Sequence, residues 1–234
     1  MRNDIIAIVC PDIHGRKFWE KAAEEYDGSI PFIFLGDYLD PYGDEGITPE
    51  EAKENFQKIW KFKEKWGDKV VLLLGNHDLS YYDKYFKTCR YCYGIADWYK
   101  ELLTNNWDKF KFVYSLKNND KTFLFSHAGI NPTWLEINNF EMIYDADYIN
   151  SLFITNRQSF NEYSFYRGGY DRAGSPIWCD IREFMNLTKE FDSSIRQIVG
   201  HTQLAVEKVD TFNATCIDSR QVFVLTKNNE VEKY

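Results

Sequence analysis

The sequence predicts an α/β fold built on largely parallel strands. Three observations predict it. Short apolar runs recur along the chain and stop abruptly at polar or glycine residues, and segments of helical periodicity separate the first three of them. Five of these runs are also followed closely by Asp, Asn or His. A strand, helix, strand, helix, strand order is that of right-handed crossovers, and in such sheets ligands bind beyond the carboxyl ends of the strands.

The first run, Ile5 to Cys10, is β-branched and apolar and ends at Pro11 and Asp12. A short helix is expected over 17–26, then a strand over 31–35. The clearest helix opens at Thr48-Pro49-Glu50-Glu51, where a capping threonine, a proline at the first helical position and a glutamate three residues on coincide. Its apolar residues Ala52, Phe56, Ile59, Trp60 and Trp66 fall largely on one face, and Gly67 ends it. Further strands are expected over 70–74, 122–125 and 195–199, and runs at 215–217 and 222–226 read as a closing antiparallel pair. The stretches 79–121 and 130–194 read as insertions of mixed helix and loop, rich in Tyr, Phe and Trp. Most of those rings are expected in the core, with a few at a cleft rim.

A chain of 234 residues can form one large domain, and a single domain over 1–234 is the expectation. Hydrophobic residues at 44% and charged residues at 27% exclude a disordered or membrane-dominated composition. No stretch approaches the roughly 20 apolar residues of a membrane helix, and Ile5 to Cys10 is too short for a signal-peptide core, so a cytoplasmic protein is expected. The net charge of −8 argues against a broad nucleic-acid-binding face. Five scattered cysteines do not resemble a disulfide framework; Cys89 and Cys92 form a C-x-x-C that would need two further ligands to hold zinc.

The chemistry lies at the strand ends. They carry Asp12-Ile13-His14-Gly15, Gly36-Asp37-Tyr38-Leu39-Asp40, Gly75-Asn76-His77-Asp78, His127-Ala128-Gly129 and Gly200-His201-Thr202. All 4 histidines of the chain fall in these motifs. A single histidine at a strand end is usually structural, but a full set at successive ends, joined by carboxylates, suits a divalent transition metal.

This motif series resembles the calcineurin-like metallophosphoesterases. Because Gly200-His201-Thr202 lacks the second histidine of a G-H-x-H ending, the resemblance is closer to the serine/threonine phosphoprotein phosphatase branch and its bacterial diadenosine tetraphosphatase relatives. The resemblance implies a four-layer α/β/β/α sandwich with two mixed sheets and helical, aromatic-rich insertions. It also implies two divalent ions, manganese first with iron or zinc as alternatives: Asp12 and His14 on one, Asp37 bridging, and Asn76, His127 and His201 completing the second. A metal-bridging hydroxide would then attack phosphorus. His77 takes the catalytic position and Asp40 orients its ring; the competing reading of Asp40 is a cap for the turn before Pro41.

One position departs from the pattern. The family's phosphate-gripping arginine follows the second aspartate of G-D-x-x-D, and here that residue is Pro41, which has no N–H to donate. Arg167 and Arg172, set among glycines, are the candidate substitutes. The implied function is hydrolysis of a phosphomonoester, a phosphoserine or phosphothreonine protein foremost. The alternatives are a dinucleoside polyphosphate hydrolase and, from another class, a non-catalytic metal-containing binding module.

Overall fold

The computed structural model describes residues 2–86, 88–185, 187 and 192–234. Its regular elements begin with β1 (Ile5–Cys10), α1 (Glu20–Glu24), β2 (Phe32–Phe34), α2 (Pro49–Trp66), β3 (Val70–Leu73), α3 (Asn76–Tyr82), α4 (Ala96–Asn105) and β4 (Phe110–Lys111). They continue with β5 (Val113–Asn118), β6 (Lys121–Ser126), α5 (Pro132–Ile137), α6 (Ala146–Thr155), α7 (Ile181–Met185), β7 (Ile195–Val199), β8 (Val209–Asp210) and β9 (Ala214–Cys216). The chain ends in β10 (Phe223–Thr226) and β11 (Val231–Lys233). No helix among the described residues is long and apolar enough to cross a membrane.

The contacts divide the chain into two compact units, Met1–Lys111 with Arg220–Tyr234 and Phe112–Ser219. Each holds one mixed sheet. In the first the strand order is β11-β10-β1-β2-β3-β4, with β1 to β4 parallel and β10 and β11 added antiparallel at one side. Ile8, Val9 and Cys10 lie opposite Phe32, Ile33 and Phe34, which lie opposite Val70, Val71 and Leu72. These strands are apolar on both faces because both are covered, the usual condition of parallel strands. The shared register carries three chain segments out at neighbouring strand ends, where Asp12, Asp37 and Asn76 follow.

Helix α2 forms as its sequence dictates. The Thr48 hydroxyl accepts from the Glu51 N–H, the Glu51 carboxylate accepts from the Thr48 N–H, and Gly67 caps the far end at φ 55. Its buried face is Ala52, Asn55, Phe56, Ile59 and Lys63. Phe56 packs edge-on against Tyr38 and Tyr99 at centroid distances of 4.9 and 5.1 Å, and Trp60 stacks on Phe110. Burying each such side chain is worth about 1.5–3 kcal/mol. Lys63 spans this apolar face and donates its ammonium to the carbonyls of Gly67 and Val70.

The second unit's sheet runs β5-β6-β7-β9-β8, parallel in its centre and antiparallel at both sides. Beneath its helices Trp134, Phe153 and Phe160 gather with Phe112, and the Trp134 indole N–H donates to the Ser159 carbonyl. These insertion aromatics are core, as expected. Phe165 and Tyr170 stand exposed.

Three expectations need correction. The runs at 215–217 and 222–226 do not pair: β9 joins β7 and β8, whereas β10 joins β1 and β11. Strand propensity cannot name a partner, and each found one in its own sheet. The stretch 79–121 contains β4 and β5; β5 is mostly half-buried and so lacks the apolar signature of a buried strand. Helix α1 is shorter than expected because Trp19 at its N-cap has no capping side chain and is instead buried against Phe34.

Candidate metal centre and catalytic pair

The first unit gathers its motif residues on three turns tied by backbone. His14 N–H donates to the Asp37 carbonyl at 2.6 Å and Gly15 N–H to the Tyr38 carbonyl at 2.9 Å. Gly36 sits at φ 110 so close to the third turn that a Cβ there would lie 2.5 Å from the Gly75 nitrogen. His14, Asp37 and Asp40 have φ values of 44, 52 and 59°, a region that costs a non-glycine residue of order 1 kcal/mol or more. Their carbonyls and side chains are thereby turned out of the strand direction.

Asp78 clamps two of these turns. Its buried carboxylate accepts from the N–H groups of Asp37, Tyr38 and Gly75 and from the Tyr99 hydroxyl at 2.7 to 3.2 Å. Burial and the neighbouring Asp37 charge push its pKa up, against the pull of those donors. Asp78 belongs to the quoted Gly75-Asn76-His77-Asp78 motif, but its clamping role depends on backbone paths that a linear reading does not supply.

The donor atoms of the site converge. His14 Nδ1 is fixed on the Leu39 carbonyl at 2.8 Å, which leaves Nε2 facing Asp37 Oδ2 at 3.5 Å and Asp12 Oδ2 at 4.0 Å. Burial pushes the His14 pKa down to about 3, so the ring is neutral and presents a lone pair. Asp37 Oδ1 accepts the His77 backbone N–H at 2.9 Å. One ring nitrogen each of His14 and His77 and a carboxylate oxygen of Asp37 lie within 4.8 Å of one another. A neutral imidazole nitrogen beside two buried carboxylates is an electron-rich pocket that a divalent cation neutralises, and the carbonyl that fixes His14 is the usual outer partner of a metal-binding histidine. The residues fit a metal ion. Asn76, buried, opens α3 beside His77.

His77 forms the second feature. Its Nδ1 meets Asp40 Oδ2 at 2.7 Å, and the buried Asp40 carboxylate also accepts from the Tyr81 hydroxyl and the Cys92 N–H. Burial opposes a charged ring, but Asp37's charge and the Asp40 hydrogen bond outweigh it and push the His77 pKa up to about 10. Tyr81 lies one helical turn after His77 on α3, a spacing visible in the sequence. Arg90 also reaches this pair from the 79–121 stretch, and no motif marked it. Cys89 is exposed, Cys92 half-buried, and both are free thiols.

The second unit holds the other histidines. His127 follows β6 and His201 follows β7, and the turns are joined by the Gly200 N–H donating to the His127 carbonyl at 2.7 Å. His127 Nε2 and His201 Nδ1 stand 3.0 Å apart. Two nitrogens each roughly 2.1 Å from one ion at a right angle would have about that separation. His201 takes φ 63 and its ring stands edge-on to Trp178. Arg167 braces this turn: its guanidinium pairs with the buried Asp180 at 2.9 Å and donates to the His201 carbonyl and the Thr202 hydroxyl. Arg172 is exposed and outside this cluster. Glu183, unmarked in the sequence, accepts from Asn131, Ser164, Gly174 and Asp180 and so ties the segment before α7 together.

The family profile described as calcineurin-like phosphoesterase matches residues 7–204, most of the chain. The chain belongs to the calcineurin-like phosphoesterases. This phosphoesterase is 28% identical over 130 residues to the serine/threonine-protein phosphatase ppe1 of Schizosaccharomyces pombe, a match covering 53% of the chain and 39% of that protein. It is 27% identical over 134 residues to the serine/threonine-protein phosphatase 6 catalytic subunit of Drosophila melanogaster, again covering 53% and 39%. The matched segment thus spans about two fifths of the length of these curated relatives. Among solved structures, a mutant cold-active protein tyrosine phosphatase aligns with TM-score 0.58 at 14% identity, covering 99% of this chain and 80% of that one. A Saccharomyces cerevisiae protein serine/threonine phosphatase aligns with TM-score 0.57 at 12% identity and the same coverage. At such identities the structures speak for the fold alone: an α/β fold with two mixed sheets.

Proposed function

We propose that this phosphoesterase is a two-metal phosphomonoesterase acting on phosphoserine or phosphothreonine in proteins. The observation that carries the reading is the pairing, within one unit, of a convergent Asp12, His14 and Asp37 donor set with the His77–Asp40 pair. In this reading Asp12, His14 and Asp37 would hold one ion, and Asp37, Asn76, His127 and His201 the other, with manganese the preferred metal. When bound, two such ions supply an activated water and neutralise the phosphoryl oxygens.

The chain's own residues supply the rest. Asp40 keeps the His77 proton on Nδ1 and its charge favours the doubly protonated ring, so Nε2 carries a proton for the departing oxygen or for a phosphoryl oxygen. Asp78 and the Asp37–His77 backbone bond hold that ring beside the metal ligands, which limits the reorganisation needed when charge builds. The similarity to serine/threonine-protein phosphatases supports a phosphoprotein substrate. With added manganese the protein should release phosphate from phosphoserine and phosphothreonine peptides faster than it releases nucleotides from diadenosine tetraphosphate. Preferential nucleotide release would move the substrate to the dinucleoside class, and no hydrolysis with manganese, iron or zinc would overturn the reading.

A further inference from the structure

We propose that Arg90 is the phosphate-binding cation of this site, working with His77 in place of an arginine at the position occupied by Pro41. The inference rests on the phosphomonoesterase reading and names a residue for it. Arg90 adopts φ 61, which folds the end of its loop back over Asp40. Its Nε donates to the Asp40 carbonyl at 3.2 Å, and one terminal nitrogen lies 3.4 Å from His77 Nε2. The guanidinium carbon stacks 3.8 Å above the centroid of the Tyr42 ring. Asp40 thereby positions both groups, His77 through its carboxylate and Arg90 through its main chain.

Arg90 differs from the neighbouring arginines in its pairing. Three guanidinium groups lie near the Tyr42 ring, those of Arg16 and Arg220 at 5.0 and 5.9 Å. Arg16 and Arg220 are both paired with Glu45, at 2.8 and 3.2 Å. Among the described residues Arg90 has no carboxylate within ion-pair distance; its other terminal nitrogen faces only the Cys89 sulfur at 3.4 Å, a weak acceptor. A half-buried guanidinium held by a carbonyl and a ring face, without a counter-charge, is an anion site in waiting. Because its free edge meets the reactive nitrogen of His77, the anion that satisfies both is one whose oxygens accept from guanidinium and imidazole together. A phosphate monoester has that chemistry.

The test is titration of the manganese-loaded, full-length protein with inorganic phosphate, alongside kcat and KM for p-nitrophenyl phosphate, for wild type, Arg90→Ala, Arg90→Lys and Arg220→Ala. Arg90→Ala should weaken phosphate binding and raise KM by about tenfold or more at unchanged metal content, a loss typical of a charge-assisted pair. Arg90→Lys should recover only part of the loss, since a point charge cannot give two parallel bonds. Arg220→Ala should shift neither by more than about threefold. Phosphate binding within twofold of wild type in both Arg90 variants would overturn the proposal. An inactive wild type that still binds phosphate through Arg90 would instead count against the phosphomonoesterase reading alone. Arg90→Lys keeps the charge, so it serves where the alanine variant does not fold.

Discussion

At the scale of single residues, His77 and Asp40 divide their labour by environment. One carboxylate oxygen of Asp40 faces the ring while the other receives Tyr81 and the Cys92 N–H, so the acceptor is immobilised before any substrate arrives. Replacing His77 with Asn should leave metal content unchanged and lower kcat by about 10²–10⁴-fold, the usual contribution of a positioned proton donor. Metal analysis and steady-state kinetics on the same preparation check both halves; undiminished turnover would remove His77 from its role. Tyr81→Phe takes one donor from Asp40 and leaves the ring contact, so a milder fall of about three- to tenfold in kcat is expected, read from the same assay. The motif residues were legible because each follows a buried strand within one to six positions. Arg90, Tyr81 and Asp78 were not given roles, because their places depend on how a loop and a helix return to the site rather than on any local pattern.

Elements determine where these residues stand. Three parallel strands in one register end side by side, and glycine permits the closest approach among their turns, at Gly36 against Gly75. Gly36→Ala combines a positive φ with a Cβ inside van der Waals distance of the Gly75 backbone, so it should destabilise the protein by about 2 kcal/mol or more, measured by urea unfolding. Thr48→Ala, which opens the α2 capping box far from the metal ligands in sequence, should cost about 1 kcal/mol by the same method. Strands β1 and β7 match their expected bounds, β1 because its apolar run begins and ends sharply. Strand β5 escaped notice because Tyr114, Ser115 and Leu116 are only half-buried, and β9 and β10 were mispaired because partner choice is settled by sheet topology, which short runs do not encode.

For the molecule as a whole, charge and metal are in tension. With a net charge of −8 the protein repels phosphorylated ligands at long range, and under the two-metal proposal attraction would come from the ions and from local arginines. Phosphopeptides with flanking Lys or Arg should therefore show higher kcat/KM than acidic ones, and the gap should shrink as salt is raised, because screening shortens the reach of the field. Ions bound only by the folded chain should also raise the melting temperature as their concentration rises, with chelation reversing the gain. The central claim is that buried carboxylates and imidazoles hold paired cations. It is tested most directly by titrating chelator-stripped protein with manganese while counting bound ions, in wild type and Asp37→Ala. Two ions per wild-type chain and fewer in the variant is the result expected; no ions bound by wild type at saturating manganese would contradict it.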